Sequence, residues 1–297
     1  LRPLLQDLLA RPAVAHWATI FVSIAVQAMP FLVLGVAISA AIAAFVPAGF
    51  LPRVLPDRPA YAVPVAAVAG AALPGCECGS VPIAGRLVAR GAPAAAALTF
   101  LLSAPAINPI VLVATAVAFP GQPEMVGARF AASLLAAMAV GLVWARLGRD
   151  DLLRRVRRRH VHEGGRLSVL VGTAQHDLMQ AGGFLIIGAA TAATLQTVVP
   201  RSVLDTVADS GLAAVLALAV LAVLMAICSE ADAFVAASLT QFSPTARLAF
   251  MVVGPMVDVK LISLQVGVFG SRFAMIFAPL TFAAAVGASI LVGWWLL

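Results

Sequence analysis

Long apolar runs separated by short, proline-rich polar turns make up most of this chain. In order they cover residues 16–46, 61–74, 93–119, 124–144, 177–199, 213–227, 247–269 and 273–295. Several reach the roughly 20 residues that cross a bilayer as a helix, and none alternates with the two-residue period of a membrane barrel strand. The pattern predicts an all-α, polytopic membrane protein of about eight helices. Counting each run as one crossing puts both ends of the chain on the side of the basic segment between the fourth and fifth runs. Arg86, Arg90 and Arg247 then fall on that side, and Arg53, Arg58 and Arg201 on the other.

The runs are interrupted where apolar sequence should be continuous. Residues 73–109 hold Cys76, Glu77, Cys78 and Asn108 together with Pro74, Pro82, Pro93, Pro105 and Pro109. Proline removes a donor and clashes with the preceding turn, so the third run is expected to break around Asn108. The Cys-Glu-Cys stretch reads as a turn that ends the second run, followed by a short amphipathic piece at 82–90 with Arg86 and Arg90 on one helical face. Hydrocarbon supplies no partner for bare peptide groups or charges, so such breaks belong where protein or an aqueous cavity surrounds them.

The chain also resembles itself. QAMPFLVLGVAISAAIAAFVP (27–47) aligns without a gap on QAGGFLIIGAATAATLQTVVP (180–200), with Gln, Ala, Phe, Leu, Gly, Val and Pro recurring in place. Further on, Cys76 answers Cys228, Pro93 answers Pro244, and FLLSAPAIN (100–108) answers FMVVGPMVD (250–258). This divides the chain into a first transmembrane repeat at 1–145, a basic loop at 146–172 and a second repeat at 173–297. An even number of crossings per copy makes the copies parallel, whereas a re-entrant broken segment would make them inverted.

Composition narrows the class: 62% hydrophobic residues, 11% charged and a mean hydropathy of +1.04 exclude an ordinary soluble domain. The net charge of +6 sits largely in the central loop, where Arg154, Arg155, Arg157, Arg158 and Arg159 read as a cytoplasmic loop rather than a nucleic-acid contact. His160 and His162 in that loop read as solvated, and His176 with Asp177 as an interfacial cap at the start of the fifth run. Three cysteines are too few for a disulfide scaffold. No removable signal peptide is expected from the opening segment.

The residues able to carry chemistry lie at the breaks. Cys76, Cys78 and Cys228 can meet a soft ion or metalloid, since thiolates prefer soft acceptors, although cysteine also packs as a small hydrophobe. Glu77, Glu230, Asp232 and Asp258 lie in or beside apolar runs, where an ionised carboxylate costs about 2.5–3.5 kcal/mol and so should face a cavity or a partner. Lys260, the sole lysine, stands two residues from Asp258, and their pairing would require an unwound backbone there. That pair reads either as a lock on a broken helix or as a proton-coupling or substrate-gating pair. Asn108, aligned with Asp258, can cap exposed backbone or face cargo.

There is no phosphate loop, nucleophile elbow or metalloprotease motif, so a transporter is expected rather than an enzyme, with no cofactor. The alternatives are a membrane-embedded thiol redox protein and a non-catalytic subunit of a membrane complex. The expected partners are the lipid bilayer and a small soft-ion or metalloid cargo, with room for a homo-oligomer.

Pro-Gly-Cys-Glu-Cys-Gly-Ser-Val-Pro, the Phe-Leu-x-x-x-Pro-x-x-Asn segment, Cys-Ser-Glu-Ala-Asp-Ala-Phe and Gly-Pro-Met-x-Asp-x-Lys together resemble the bacterial predicted-permease family that includes the trivalent organoarsenical efflux permeases. The resemblance spans both halves. It implies a multi-pass inner-membrane carrier whose core comprises Cys76, Cys78, Pro82, Pro105, Asn108, Cys228, Glu230, Asp232, Gly254, Pro255, Asp258 and Lys260. For the arsenical members it implies extrusion through thiol contacts. Where family members carry Cys-Ser-Cys this chain has Cys-Glu-Cys, and an acid between two thiols suits a cation or a proton carrier.

Overall fold

The computed structural model describes residues 12–47, 50–56, 58–72, 76–148, 150–153, 156, 165–198 and 211–297. The central arginines 154, 155 and 157–159, His160, His162, Arg201 and the opening segment lie outside the described residues. The first half comprises α1 (Pro12–Phe45), α2 (Phe50–Val54), α3 (Pro59–Ala71), α4 (Glu77–Ala89), α5 (Ala94–Ala106), α6 (Pro109–Ala118) and α7 (Pro123–Leu147). The second comprises α8 (Arg166–Val198), α9 (Gly211–Met225), α10 (Asp232–Ser238), α11 (Pro244–Val253), α12 (Val259–Val268) and α13 (Ser271–Leu296). Among the described residues there is no strand. The protein is all-α, and among the described residues five stretches are long and apolar enough to cross a membrane.

Proline sets the starts. It stands in the first turn of α3, α6, α7 and α11, where its missing N–H would have no intrahelical partner. Each half contains one course broken in the middle: α5 gives way to α6 at Ile107 and Asn108, and α11 to α12 through the non-helical stretch 254–258 around Pro255. At each break the same device restarts the helix. The Asn108 side chain accepts from Val111 N at 3.0 Å, and that of Asp258 from Leu261 N at 2.5 Å, each meeting one of the free N–H groups of the new helix.

Helix directions follow from contacts. Trp17, early in α1, donates to Thr194, late in α8, at 3.0 Å, while Ser39, late in α1, donates to Asp177, early in α8, at 2.8 Å. These two long helices are therefore packed antiparallel. Arg90, at the end of α4, donates to the carbonyl of Ala43, at the end of α1. Gly70 of α3 lies against Ser103 and Ala104, so α3 and α5 both run inward. At 13 residues each, α3 and α4 extend about 20 Å, short of the roughly 30 Å hydrocarbon layer. They form a hairpin that enters and leaves at one end of the molecule. Helices α9 and α10 do the same from the opposite end, with Gly254 of the inward α11 beside Ala222 near the tip of α9. The two halves meet along α7 and α13, where the Trp144 ring stands 5.3 Å from that of Phe273 and 5.7 Å from that of Phe277.

This arrangement corrects the expected topology. The second and sixth runs are half-length helices that turn back, and α1 begins at the end opposite the one where α8 begins. Arg53 and Arg58 consequently share the loop end with Arg86 and Arg90, whereas Arg247, over the Phe119 ring at 5.6 Å, lies at the far end. The positive charge gathers more completely at one end than the eight-crossing count had it. Helix α8 starts at Arg166, inside the segment expected to be loop. Residues 82–90 are not amphipathic: α4 is buried along nearly all its length.

Candidate functional site

The tips of the two hairpins and the two broken courses meet in the interior. Cys76 is the residue before α4, in extended conformation, so Glu77 and Cys78 form the first turn of a helix rather than the expected open turn. One donor atom from each of Cys76, Glu77 and Cys78 lies within 4.8 Å of the others, and all three residues are buried. Cys228, from the non-helical stretch after α9, lies 3.8 Å from the Lys260 ammonium, which is itself 2.5 Å from Glu77, so the third thiol borders the same cluster. All three thiols are free. Ala226, two residues before Cys228, has φ of 46°, a left-handed conformation strained for a residue with a side chain.

Lys260 binds this cluster together. Its ammonium is 2.5 Å from Glu77 Oε1, 3.7 Å from Asp258 Oδ2, 3.8 Å from Cys228 Sγ and 3.4 Å from the Ala226 carbonyl. The Asp258 partnership suggested by the sequence is present, but the nearer carboxylate belongs to the other half of the chain. Lys260 and Asp258 are wholly buried, and in so dry a setting separating charges this close would be costly.

Asp232 opens α10 and is held by Arg129 of α7 at 2.7 Å. The same guanidinium donates to Thr115 of α6 at 2.8 Å and to the Ser229 carbonyl at 3.2 Å. Arg129 thereby ties the Cys228–Glu230 stretch to the first half. Glu230 lies within electrostatic reach of Glu77, Lys260 and Arg129. Among the described residues, Glu77 Oε2, Asp232 Oδ1, Ser229 Oγ and both Glu230 carboxylate oxygens are buried without a hydrogen-bond donor. The cluster thus holds four carboxylates against two cations, and several of its buried acceptor oxygens have no donor. It suits a soft cation or metalloid, with oxygens able to hold protons or a hard cation.

Other expected site residues have local roles. Pro105 and Pro255 are buried at the two breaks. Asn108 spans its break, donating to Ala104 O at 3.0 Å while capping α6. The sequence reading passed over Arg129 and misplaced Asp177. Arg129 stands six residues into an apolar helix, and that isolation was the available signal. Asp177 is no cap: it is buried inside α8, 2.8 Å from Arg86. Arg86 also donates to Ser39 at 3.3 Å.

Three buried ion pairs, Glu77–Lys260, Arg129–Asp232 and Arg86–Asp177, therefore each join the first half to the second. Residues 13–294 match a family model described as "Predicted permease". A Bacillus subtilis protein named UPF0718 protein YcgR is 35% identical over 281 residues, covering 92% of this chain and 96% of that one. A Streptococcus mutans protein, named as a candidate two-component membrane permease complex subunit, is 31% identical over 273 residues, covering 89% of this chain and 91% of its own. No solved structure matches the chain.

Proposed function

The chain belongs to the predicted-permease family, and from that premise we propose that it is a secondary transporter of the bacterial inner membrane that exports a soft, thiol-binding metalloid or metal species such as a trivalent organoarsenical. The single observation that carries the reading is the meeting of Cys76, Cys78 and Cys228 with the Glu77–Lys260 pair at the junction of two half-helix tips and a helix break. Discontinuous helices at mid-depth present free backbone groups and side chains to cargo, and thiols select soft acceptors.

The loop end, with its arginines, faces the cytoplasm by the positive-inside rule. Glu77, Glu230, Asp232, Asp258 and Lys260 handle charge: with Arg129 counted, four carboxylates against two cations favour a cationic cargo or bound protons over an anion. A trivalent arsenical bearing two hydroxyls exchanges onto two of the thiols, each As–S bond replacing an As–OH bond as the thiol proton leaves with the hydroxide as water, and Lys260 stabilises Cys228 as the thiolate during the exchange. Asn108, Pro105 and Pro255 hold the breaks open to the site. The halves read as two copies of one module on the alignment of 27–47 with 180–200, and the antiparallel packing of α1 and α8 favours inverted over parallel copies.

The test is flux of methylarsenite, copper(I) and zinc(II) in inverted membrane vesicles from cells expressing the protein and its Cys76→Ser, Cys78→Ser and Cys228→Ser variants. Loss of methylarsenite flux in at least two variants, with normal expression, supports the reading. Unchanged flux of all three species in every variant removes the thiols from it. A second reading, that the chain is one subunit of a permease complex, draws on the name of the Streptococcus mutans relative. Co-purification of a stoichiometric second membrane chain would favour it.

A further inference from the structure

The antiparallel pair α1–α8 sits to one side of the remaining helices. Helix α1 packs along α4, and α8 packs along α12, which itself touches α4. The reciprocal contact, of α6 with α10, exists on the other side of the site, yet neither α1 nor α8 packs along it to any comparable extent. Under the reading of inverted copies, on which this inference rests, α10 corresponds to α4 and α6 to α12. The core is then two-sided while its covering pair is one-sided.

The two sides differ in burial where the register makes them equivalent. On the covered side, Gly188 of α8 lies against Lys260 and Ser263 of α12, Ser263 donates to the Phe184 carbonyl at 2.8 Å, and Gln180 donates to the Gly267 carbonyl at 2.6 Å. Carrying the alignments of 27–35 on 180–188 and of 100–108 on 250–258 forward, Lys260, Ser263 and Gly267 correspond to Ile110, Val113 and Val117 of α6. Those three are 45%, 63% and 63% exposed, while Lys260 is 0% exposed. Gly188, Phe184 and Gln180 correspond to Gly35, Phe31 and Gln27 of α1.

Gln27 supplies the sharper sign. It is exposed on an apolar helix and makes no hydrogen bond among the described residues, whereas its counterpart Gln180 is anchored to α12. A side-chain amide facing hydrocarbon without a partner is costly, so such a residue is expected where another arrangement satisfies it. Gly35 is likewise small enough for a backbone to approach closely, as α4 does now and as α12 does at Gly188.

We infer that α6 and α10 form a second seat for the α1–α8 pair, and that the protein alternates between this seat, with Gln27 bonded to the carbonyl near Val117, and the observed one. In the observed seat Ser39, Arg86 and Asp177 form the latch; the corresponding positions Ala192, Ser238 and Ile24 cannot form one, so the observed seat is the favoured resting state. Two rigid arrangements related by exchange of inverted copies would expose the thiol cluster to opposite ends in turn.

Paired cysteines test this without reference to any cargo. Phe184→Cys with Ser263→Cys reports the observed seat, and Phe31→Cys with Val113→Cys reports the second. Each double variant is treated in membrane vesicles with a short bifunctional thiol reagent, and the linked peptides are identified by mass spectrometry. The expected result is linkage in both, with the Phe31–Val113 yield rising several-fold when Asp177→Asn removes the latch. Linkage of Phe184–Ser263 alone, unchanged by Asp177→Asn, overturns the inference. Should Phe31→Cys impair folding, Gln27→Cys with Val117→Cys reads the same seat. Because the readout is proximity, its failure leaves the thiol-variant fluxes to decide the transport reading separately.

Discussion

Glu77 and Lys260, 183 positions apart, form a 2.5 Å ion pair from which water is excluded on both sides. Removing one partner of such a pair leaves an uncompensated buried charge, at a cost of about 3–5 kcal/mol. Glu77→Gln and Lys260→Met are each expected to lower the melting temperature of the detergent-purified protein sharply and to abolish flux. The double variant should recover most of the stability. If it recovers flux as well, the pair is a lock; if flux stays absent, the pair takes part in transport.

Asp258 combines a helix cap with a charge, and the two can be separated. Asp258→Asn keeps an acceptor for the Leu261 N–H and leaves Lys260 its nearer partner Glu77, so melting should fall only by what the 3.7 Å contact with Lys260 contributes, while Asp258→Ala should lose about 1 kcal/mol more with the cap. Asn108→Ala should lose a comparable amount at the other break. A flux defect in Asp258→Asn without a melting change would assign work to the charge itself. Equal flux in wild type and Asp258→Asn would restrict the residue to capping.

Arg129 holds Asp232, Thr115 and the Ser229 carbonyl at once, which a lysine cannot reproduce. Arg129→Lys is expected to melt lower than wild type and to weaken flux. Arg129→Met is expected to be worse, because it strands the Asp232 carboxylate. Thermal melting of the three proteins side by side checks the order.

Close approach of α1 to α4 depends on glycine. A Cβ on Gly35 would stand 2.3 Å from the Gly79 Cα, with only backbone to yield, so Gly35→Ala should destabilise by about 1–3 kcal/mol or more. Gly127, in α7, has nothing within 4 Å of its would-be Cβ, and Gly127→Ala should be neutral or slightly stabilising. Near-identical melting of the two variants would contradict the packing described.

At Ala226 the backbone itself is strained, with φ of 46°. Ala226→Gly should relieve about 1–2 kcal/mol of that strain, offset in part by the greater freedom glycine gives the unfolded chain. A clear fall in melting temperature would show that the conformation is not strained.

Much of this protein was determined by its sequence alone, because hydrocarbon is an unforgiving solvent: apolar runs must be helices, prolines inside them must break them, and carboxylates within them must find partners. That logic located Cys76, Glu77, Cys78, Cys228, Asp232, Asp258 and Lys260 as residues in need of an explanation, and placed both breaks. What it could not supply was length in three dimensions and choice of partner. A run of 13 helical residues and one of 25 look alike in hydropathy, so the hairpins passed for crossings and the far-end position of Arg247 was missed. Lys260 was matched with Asp258, its neighbour in sequence, because Coulomb attraction depends on distance and only folding brings Glu77 nearer. The tertiary structure alone decided which charges meet, which way each helix runs, and on which side of the thiols α1 and α8 lie.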